Sequence, residues 1–330
     1  MAKEARKAGK KKEQLMKIFS GRLRKILMQL PVDFAEVQEI RMRIHAPLLI
    51  VYQNREYAVL EQGGLGAVDT GAIQITREEI RETLELISNH SLYAYEEEIR
   101  QGFITIQGGH RVGIAGKTVV DERFMIKGMK YISFLNIRVS HEVKGCADKL
   151  MPYLWGKNQV KQTLLISPPC CGKTTMLRDV VRQLSNGSPD GAERREGLTV
   201  GVVDERSEIG ACYMGEPQND LGIRTDILDC CPKAQGMMML IRTMSPQVVA
   251  VDEIGSREEL DAMYYVMNCG AKLIATVHGT SMEDIRTKPI LTQMVAQRLF
   301  ERYVILDQIP TIGSIRQIFD EGEHLLYSQV

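Results

Sequence analysis

The stretch SPPCCGKTT, residues 167–175, limits what this chain can fold into more than any other. The apolar run Thr163-Leu164-Leu165-Ile166 precedes it, and MLRDVVRQLSN, with apolar residues at helical spacing, follows. A buried strand, a tight turn of small residues and a helix start bring successive backbone N–H groups and the positive end of a helix dipole to one point. An anion is stabilised there. This is the strand–loop–helix of a P-loop.

In such a loop Lys173 is expected to reach the β- and γ-phosphates of ATP, and the Thr174 hydroxyl to ligate Mg2+. Ser167, Pro168, Pro169, Cys170, Cys171, Gly172, Lys173, Thr174 and Thr175 are expected to line the nucleotide. The match to Gly-x-x-x-x-Gly-Lys-[Ser/Thr] departs at its first position, Ser167, and Cys170 stands where many P-loops carry another glycine. Glycine serves there because it permits positive φ and close backbone approach. A Cβ in the left-handed region costs about 1–2 kcal/mol. The alternative is a chance Gly-Lys-Thr-Thr at a helix start, against which the flanking strand, the helix and the motifs downstream all weigh.

At 330 residues the chain is expected to hold two domains, since single cores stop growing near ~250–300 residues. Its hydrophobic fraction of 44% and charged fraction of 25% are those of a soluble globular protein. No apolar run approaches the ~18 residues of a membrane-spanning helix, and the N-terminus has no apolar signal core. A cytoplasmic chain is expected, with any membrane association peripheral or through a partner. Seven cysteines, an odd number with vicinal pairs at Cys170-Cys171 and Cys230-Cys231, do not form a disulfide framework. No pair of CxxC units suggests zinc. Charges balance overall, but residues 1–28 carry ten lysines and arginines against Glu4 and Glu13. Such an arm is either a solvated tail or a contact for nucleic acid or an anionic membrane.

Residues 1–12 are expected as a disordered basic tail, and 13–29 as one amphipathic helix ended by Pro31. Strand-like alternation follows over 36–60. A capping box at Thr76-Arg77-Glu78-Glu79 opens a helix to about 88, and a second helix runs over 91–100 to Gly102. FITIQGGHRVGIAGKTVV, 103–120, is a hairpin pattern, and the strand Ile132–Val139 closes an α+β domain spanning 13–145. From 146 the pattern alternates strand and helix, with strands near 162–167, 198–203, 247–252, 272–277 and 302–306. Short continuous apolar strands between helices imply a parallel sheet covered on both faces. Two connections are expected as long loops, 187–197 and 207–232.

Val248-Val249-Ala250-Val251-Asp252-Glu253 is an apolar strand ending in two carboxylates, the Walker B pattern. Asp252 is expected to hold magnesium through water, and Glu253 to orient or deprotonate an attacking water. A nucleotide kinase would have no use for that glutamate. Val202-Val203-Asp204-Glu205-Arg206 is a second strand ending in acids; Glu205 could make a further magnesium or water contact, or the acids could cap the next turn. After another capping box at Ser256-Arg257-Glu258-Glu259, a strand ends in Ala275-Thr276-Val277-His278-Gly279. In a P-loop sheet with a strand inserted between those of Walker A and Walker B, this one fills the gap. Thr276 or His278 would then sense the γ-phosphate.

With Walker A, an acidic box, Walker B and a histidine box in order, the chain resembles the P-loop ATPases of the type II/type IV secretion superfamily over about 134–280. Arg242-Thr243-Met244-Ser245-Pro246, Glu258-Glu259 and Gly270 add to the likeness. Within that superfamily it is similar to the stage III sporulation AA family of endospore-forming bacteria along nearly its whole length. Glu39-Ile40-Arg41-Met42-Arg43, Gln101-Gly102-Phe103-Ile104, Gly109-His110-Arg111-Val112-Gly113, Asn136-Ile137-Arg138-Val139, Val203-Asp204-Glu205-Arg206-Ser207-Glu208-Ile209 and Gly215-Glu216-Pro217-Gln218-Asn219-Asp220 carry that likeness.

The resemblance implies a RecA-like P-loop domain at 146–330 with a mainly parallel sheet, an α/β fold preceded by the smaller α+β domain. It implies ATP hydrolysis in a homo-hexamer docked on membrane channel proteins, at the mother-cell face of the channel to the forespore. Residues 167–175 supply no cation opposite Lys173, so an arginine must come from elsewhere, in a ring from a neighbouring subunit. Arg138 sits where the superfamily carries a comparable Arg-Val-Ser, and Arg111 lies in the hairpin nearby. Two rivals remain: a nucleic-acid-dependent ATPase using the basic arm, which no stacking platform or nucleic-acid module supports, and a nucleotide-binding assembly switch that does not hydrolyse.

Overall fold

The structure, a computed structural model, describes residues 12–68, 71–156, 159–188, 195–308 and 313–329. The chain divides into two units, the first ending at His141 and the second beginning at Glu142. Local bonding explains a division a few residues before 145. The Ser140 amide donates to His110 Nδ1 at 3.0 Å and His141 Nε2 lies 2.6 Å from the Val37 carbonyl. Glu142 instead accepts from the Asp220 amide at 2.6 Å.

The first unit is an antiparallel sheet with helices. In place of one helix over 13–29, residues 12–16 form a helical turn and α1 (Gly21–Gln29) follows a break. Arg24 causes the break to hold: its guanidinium takes the carbonyls of Met16, Lys17 and Phe19 at 3.0, 2.8 and 3.2 Å. Both halves then turn apolar residues (Leu15, Phe19, Leu23, Leu27) into the same core. All of the expected basic tail but Lys12 lies outside the described residues.

Strands β1 (Val37–Arg43), β2 (Leu49–Tyr52), β3 (Arg55–Val59) and β4 (Leu65–Gly66) precede α2 (Arg77–Ile87), whose Thr76–Glu79 capping box is formed on both sides. A 3-10 turn, Leu92–Tyr95, leads into α3 (Glu96–Gln101), which Gly102 ends at φ +85°. Strands β5 (Phe103–Ile106), β6 (His110–Val120) and β7 (Ile126–Arg138) complete a sheet of order β4-β3-β2-β1-β7-β6-β5. β7 begins six residues earlier than the apolar pattern suggested, because its first half pairs only with β6.

The second unit is built on an eight-stranded sheet. β8 (Thr163–Ser167), β9 (Val200–Asp204), β10 (Thr225–Asp229), β11 (Val248–Val251), β12 (Lys272–His278) and β13 (Arg302–Asp307) are parallel. Alternate residues feed two cores: Leu164, Ile166, Val249 and Val251 on one face, Leu165, Val202, Val248 and Ala250 on the other. Burial on both faces accounts for the continuous apolar runs. Helices α4 (Lys173–Asn186), α5 (Lys233–Thr243) and α6 (Arg257–Asn268) connect them. This is the RecA-like P-loop architecture, with β12 inserted between the Walker A strand β8 and the Walker B strand β11.

Two features depart from expectation. The presumed loop 207–232 contains β10, in register with β9 from Thr225↔Val200 to Asp229↔Asp204. The chain then ends in an antiparallel pair, β14 (Ser314–Asp320) and β15 (Leu325–Ser328), on the β13 edge. Residues 189–194 of the expected loop 187–197 lie outside the described residues.

Candidate functional site

β8 runs buried to Ser167, and the turn to α4 requires left-handed backbone at two places. Gly172 has φ +79° and Cys170 has φ +60°. Cys170 thus accepts the strain that a glycine would avoid. Ser167, the other departure, is extended strand in which a Cβ costs nothing; its hydroxyl donates to the Pro168 carbonyl at 2.9 Å. The loop is pinned by Gly313 N–H to the Cys171 carbonyl (2.9 Å) and Gly279 N–H to the Ser167 carbonyl (3.1 Å). Pro169 and Cys170 are exposed, and Thr175 is partly buried with its carbonyl facing the Cys146 thiol.

Parallel pairing sets the Walker B carboxylates against this loop. Lys173, 6% exposed, places Nζ 2.8 Å from Glu253 Oε1 and 3.6 Å from Asp252 Oδ1. Thr174 Oγ1 donates to Asp252 Oδ2 at 2.7 Å. From the inserted strand, buried Thr276 donates its hydroxyl to Asp252 Oδ1 and accepts the Glu253 amide at 2.9 Å. His278 Nε2 lies 2.9 Å from Glu253 Oε1, and Arg206 reaches Glu253 Oε2 at 3.4 Å. Lys173, Thr174, Asp252, Glu253, Thr276 and His278 therefore form one constellation. Of the two candidate sensors, Thr276 holds the Asp252 carboxylate and the Glu253 backbone, while His278, about half exposed, meets the Glu253 carboxylate.

Glu253 is itself strained, at φ +53°. Its amide is held by Thr276, and its carbonyl accepts from Lys233 Nζ at 2.6 Å. Burial acts to raise its pKa, but the Lys173 ammonium, helped by His278 and Arg206, holds it below the usual glutamate value.

The second acidic pair splits into different tasks. Asp204 accepts three backbone N–H groups, from Glu208, Ile209 and Gly210, each at 2.8 Å, and so caps the turn after β9. Burial keeps its pKa up at about 6 against the pull of those donors. Glu205 lies 3.5 Å from Lys233 Nζ, which also bonds Glu259 Oε1 at 2.8 Å. It meets the constellation only through that lysine. Lys233 escaped the sequence reading, yet a signal was present. A lysine in the first turn of a helix opposes the dipole and needs a local reason.

Arg138 and Arg111 belong to the first unit. Arg138 is exposed at the end of β7, in register with Glu39 on β1 and Arg111 on β6. The Arg111 guanidinium sits 3.5 Å from the Phe103 ring centroid.

The residues present suit a nucleotide with magnesium. Cys170 and Gly172 already hold the left-handed backbone of the turn into α4, and a hydroxyl and a carboxylate meet at Thr174–Asp252. No group of three or more His, Cys, Asp or Glu that could hold a metal unaided occurs among the described residues. Magnesium bound mainly by phosphate and water needs only one or two protein ligands.

Comparison with known proteins agrees with this fold. In fold alone, the Legionella pneumophila ATPase DotB aligns at TM-score 0.52 and 12% identity, covering 82% of this chain and 72% of DotB. The pilus retraction motor PilT, solved with ADP, aligns at TM-score 0.56 and 11% identity, covering 93% of this chain and 82% of PilT. In sequence, stage III sporulation protein AA of Bacillus subtilis is 37% identical over 314 residues, 95% of this chain and 96% of that protein. The model of the family described as sporulation stage III, protein AA, matches residues 9–326, and the chain belongs to that family.

Proposed function

We propose that this chain hydrolyses ATP as the motor subunit of a secretion-like assembly. It would work as a homo-hexamer docked peripherally on membrane channel proteins at the inner face of the mother-cell membrane, powering the channel between mother cell and forespore. The observation that carries the hydrolytic part is the meeting of Lys173 and Thr174, after β8, with Asp252 and Glu253, after β11, across the inserted strand β12. Family membership supports the sporulation setting.

The P-loop amides and Lys173 bind the phosphates, and Lys173 offsets charge on the transferred group. Thr174 and Asp252 would hold magnesium, which supplies further neutralisation of that charge. Glu253 takes the proton of the attacking water. Thr276 fixes Asp252 and Glu253 relative to each other, and His278 orients the Glu253 carboxylate. Arg138 or Arg111 of an adjacent subunit would complete the site opposite Lys173.

Phosphate release by the purified chain with ATP and magnesium tests this, with Lys173→Ala as the control and single-stranded DNA added in a parallel arm. Turnover above the control and indifferent to DNA is expected. ATP binding without turnover would make the chain an assembly switch, and turnover only with DNA would make it a nucleic-acid-dependent ATPase.

A further inference from the structure

Strands β6 and β7 outrun their sheet. β1 follows β7 only as far as Arg43↔Phe134, and β5 follows β6 only to Phe103↔Gly113. Beyond these points β6 and β7 pair with each other alone, through Lys117↔Lys130, Thr118↔Met129, Val119↔Gly128 and Val120↔Ile126. The ribbon leaves the sheet at a bulge between Ala115 and Lys117. Gly116 is required there, because a Cβ would lie 2.8 Å from Ile132 Cα and from the Lys130 and Tyr131 carbonyl oxygens.

Its tip is ordered and apolar. Asp121 Oδ1 accepts the amides of Arg123 and Met125 at 2.8 and 2.9 Å, and Asp121 N–H bonds the Met125 carbonyl at 2.9 Å. That turn holds Phe124 at φ +58°, an uncommon backbone for a bulky residue, with 86% of it in solvent. Met125 is 66% exposed, and Val120 and Ile126 are exposed beside it. Arg123 in the turn and Lys127 just after it flank the apolar residues, and Lys117 and Lys130 stand behind them, all four exposed. Lys117 and Lys130 are directly opposite one another, a like-charge pair that works against the ribbon unless an anion lies between them. Of the two acids nearby, Asp121 is committed to the turn and only Glu122 is left to balance four cations.

From these observations we propose that the ribbon is a membrane-contacting arm that inserts Phe124 and Met125 into an anionic lipid surface. Arg123 and Lys127 lie at the level of the turn, while Lys117 and Lys130 stand three and four residues back from Val120 and Ile126, roughly 10 Å along the strands. That matches the depth to which interfacial elements bury their apolar part beneath the headgroup phosphates. A nucleic acid would use the lysines but leave the aliphatic end of the ribbon in water. Among the described residues no helix is long and apolar enough to cross a membrane, so this contact is peripheral. The inference does not rest on ATP hydrolysis.

Flotation of the full-length chain with phosphatidylglycerol vesicles, phosphatidylcholine vesicles as control, tests it. The chain should float with the anionic vesicles, and F124S/M125S and K117E/K130E should each lower the bound fraction at least about tenfold. The unmodified N-terminal arm is common to all three proteins, so the loss belongs to the ribbon. These side chains are in solvent, so circular dichroism and phosphate release should match the parent. Emission of F124W should be quenched by brominated lipid, unlike that of Trp155 in the parent chain. Equal flotation of the variants, equal binding to neutral vesicles, or no quenching of F124W overturns the proposal. So does loss in the variants of duplex DNA binding or of self-association in place of lipid binding.

Discussion

Glu253 combines a strained backbone with a carboxylate that three cationic or protonatable groups surround, and both features bear on what it can do. Lys173 is the main cation holding its pKa down, and a γ-phosphate would draw on the same ammonium. Binding that diverts Lys173 would raise the Glu253 pKa and make it a stronger base when substrate is present. Glu253→Gln should therefore bind ATP at least as well as the parent, because Lys173 is released from its ion pair, while phosphate release falls ~10²–10⁴-fold. Lys173→Ala should lose turnover and weaken binding of a fluorescent ATP analogue; parental turnover would remove the P-loop from the reaction. The lowered pKa also has a stability consequence. Its contribution is complete above the ordinary value of 4.5 and is lost as pH falls through the lower folded value. The melting temperatures of parent and Glu253→Gln should converge in acid and diverge toward neutrality. Lys233 should act on position alone: Lys233→Met should lower kcat with little change in KM, and Lys233→Arg should restore part of it. Loss confined to KM would assign Lys233 to binding. Lys173, Thr174, Asp252, Glu253, Thr276 and His278 were legible because each sits at the end of an apolar strand or at a helix start, where topology fixes its place. Lys233 was not read: its place in the first turn of a helix marked it as unusual, but its partner, a carbonyl twenty residues away, is not recorded by any pattern of residue types.

At the scale of elements, close approach of α5 to β9 brings Lys233 under Glu253. Gly236 permits it: a Cβ there would lie 2.5 Å from Val203 Cγ1 and 3.1 Å from the Cys231 sulfur. Gly236→Ala should cost ~1–3 kcal/mol as overpacking, despite alanine being the better helix former. Denaturant unfolding would measure it, and a stabilised variant would mean that α5 moves away from the sheet freely. The parallel strands were legible because burial on both faces leaves unbroken apolar runs such as Leu164-Leu165-Ile166. β10 was not, since Thr225-Asp226-Ile227-Leu228-Asp229 pairs on one side only and keeps its polar residues at an open edge. Helix periodicity over 13–29 was real but could not show that Arg24 takes three carbonyls and breaks the run. The capping boxes at Thr76 and Ser256 formed as their spacing demands, because each bond in them is local.

For the molecule as a whole, Lys173 and Arg206 of the same chain reach Glu253, and the proposed ring adds an arginine from another copy. Negative charge spreads over three γ-phosphoryl oxygens during transfer, and Lys173 with magnesium covers one side. An arginine suits the other because its planar fork holds two oxygens and stays charged. Arg138 is exposed on the first unit and Arg111 stands opposite it in register, so either could be presented to another copy. Arg111 is engaged with Phe103, which favours Arg138 as the one able to reach outward. Subunit mixing separates action within a chain from action between chains. Lys173→Ala protein keeps its arginines but has no working P-loop; Arg138→Ala protein keeps its P-loop. Each should be inactive alone. In mixed rings, interfaces that join an intact P-loop to an intact arginine should regain phosphate release, up to about a quarter of the parental rate for random pairing at equal amounts. Inactivity of the mixture, with mixed assembly verified by native mass, would place the arginine within the same chain. Normal turnover by Arg138→Ala, and separately by Arg111→Ala, would remove both residues from the reaction.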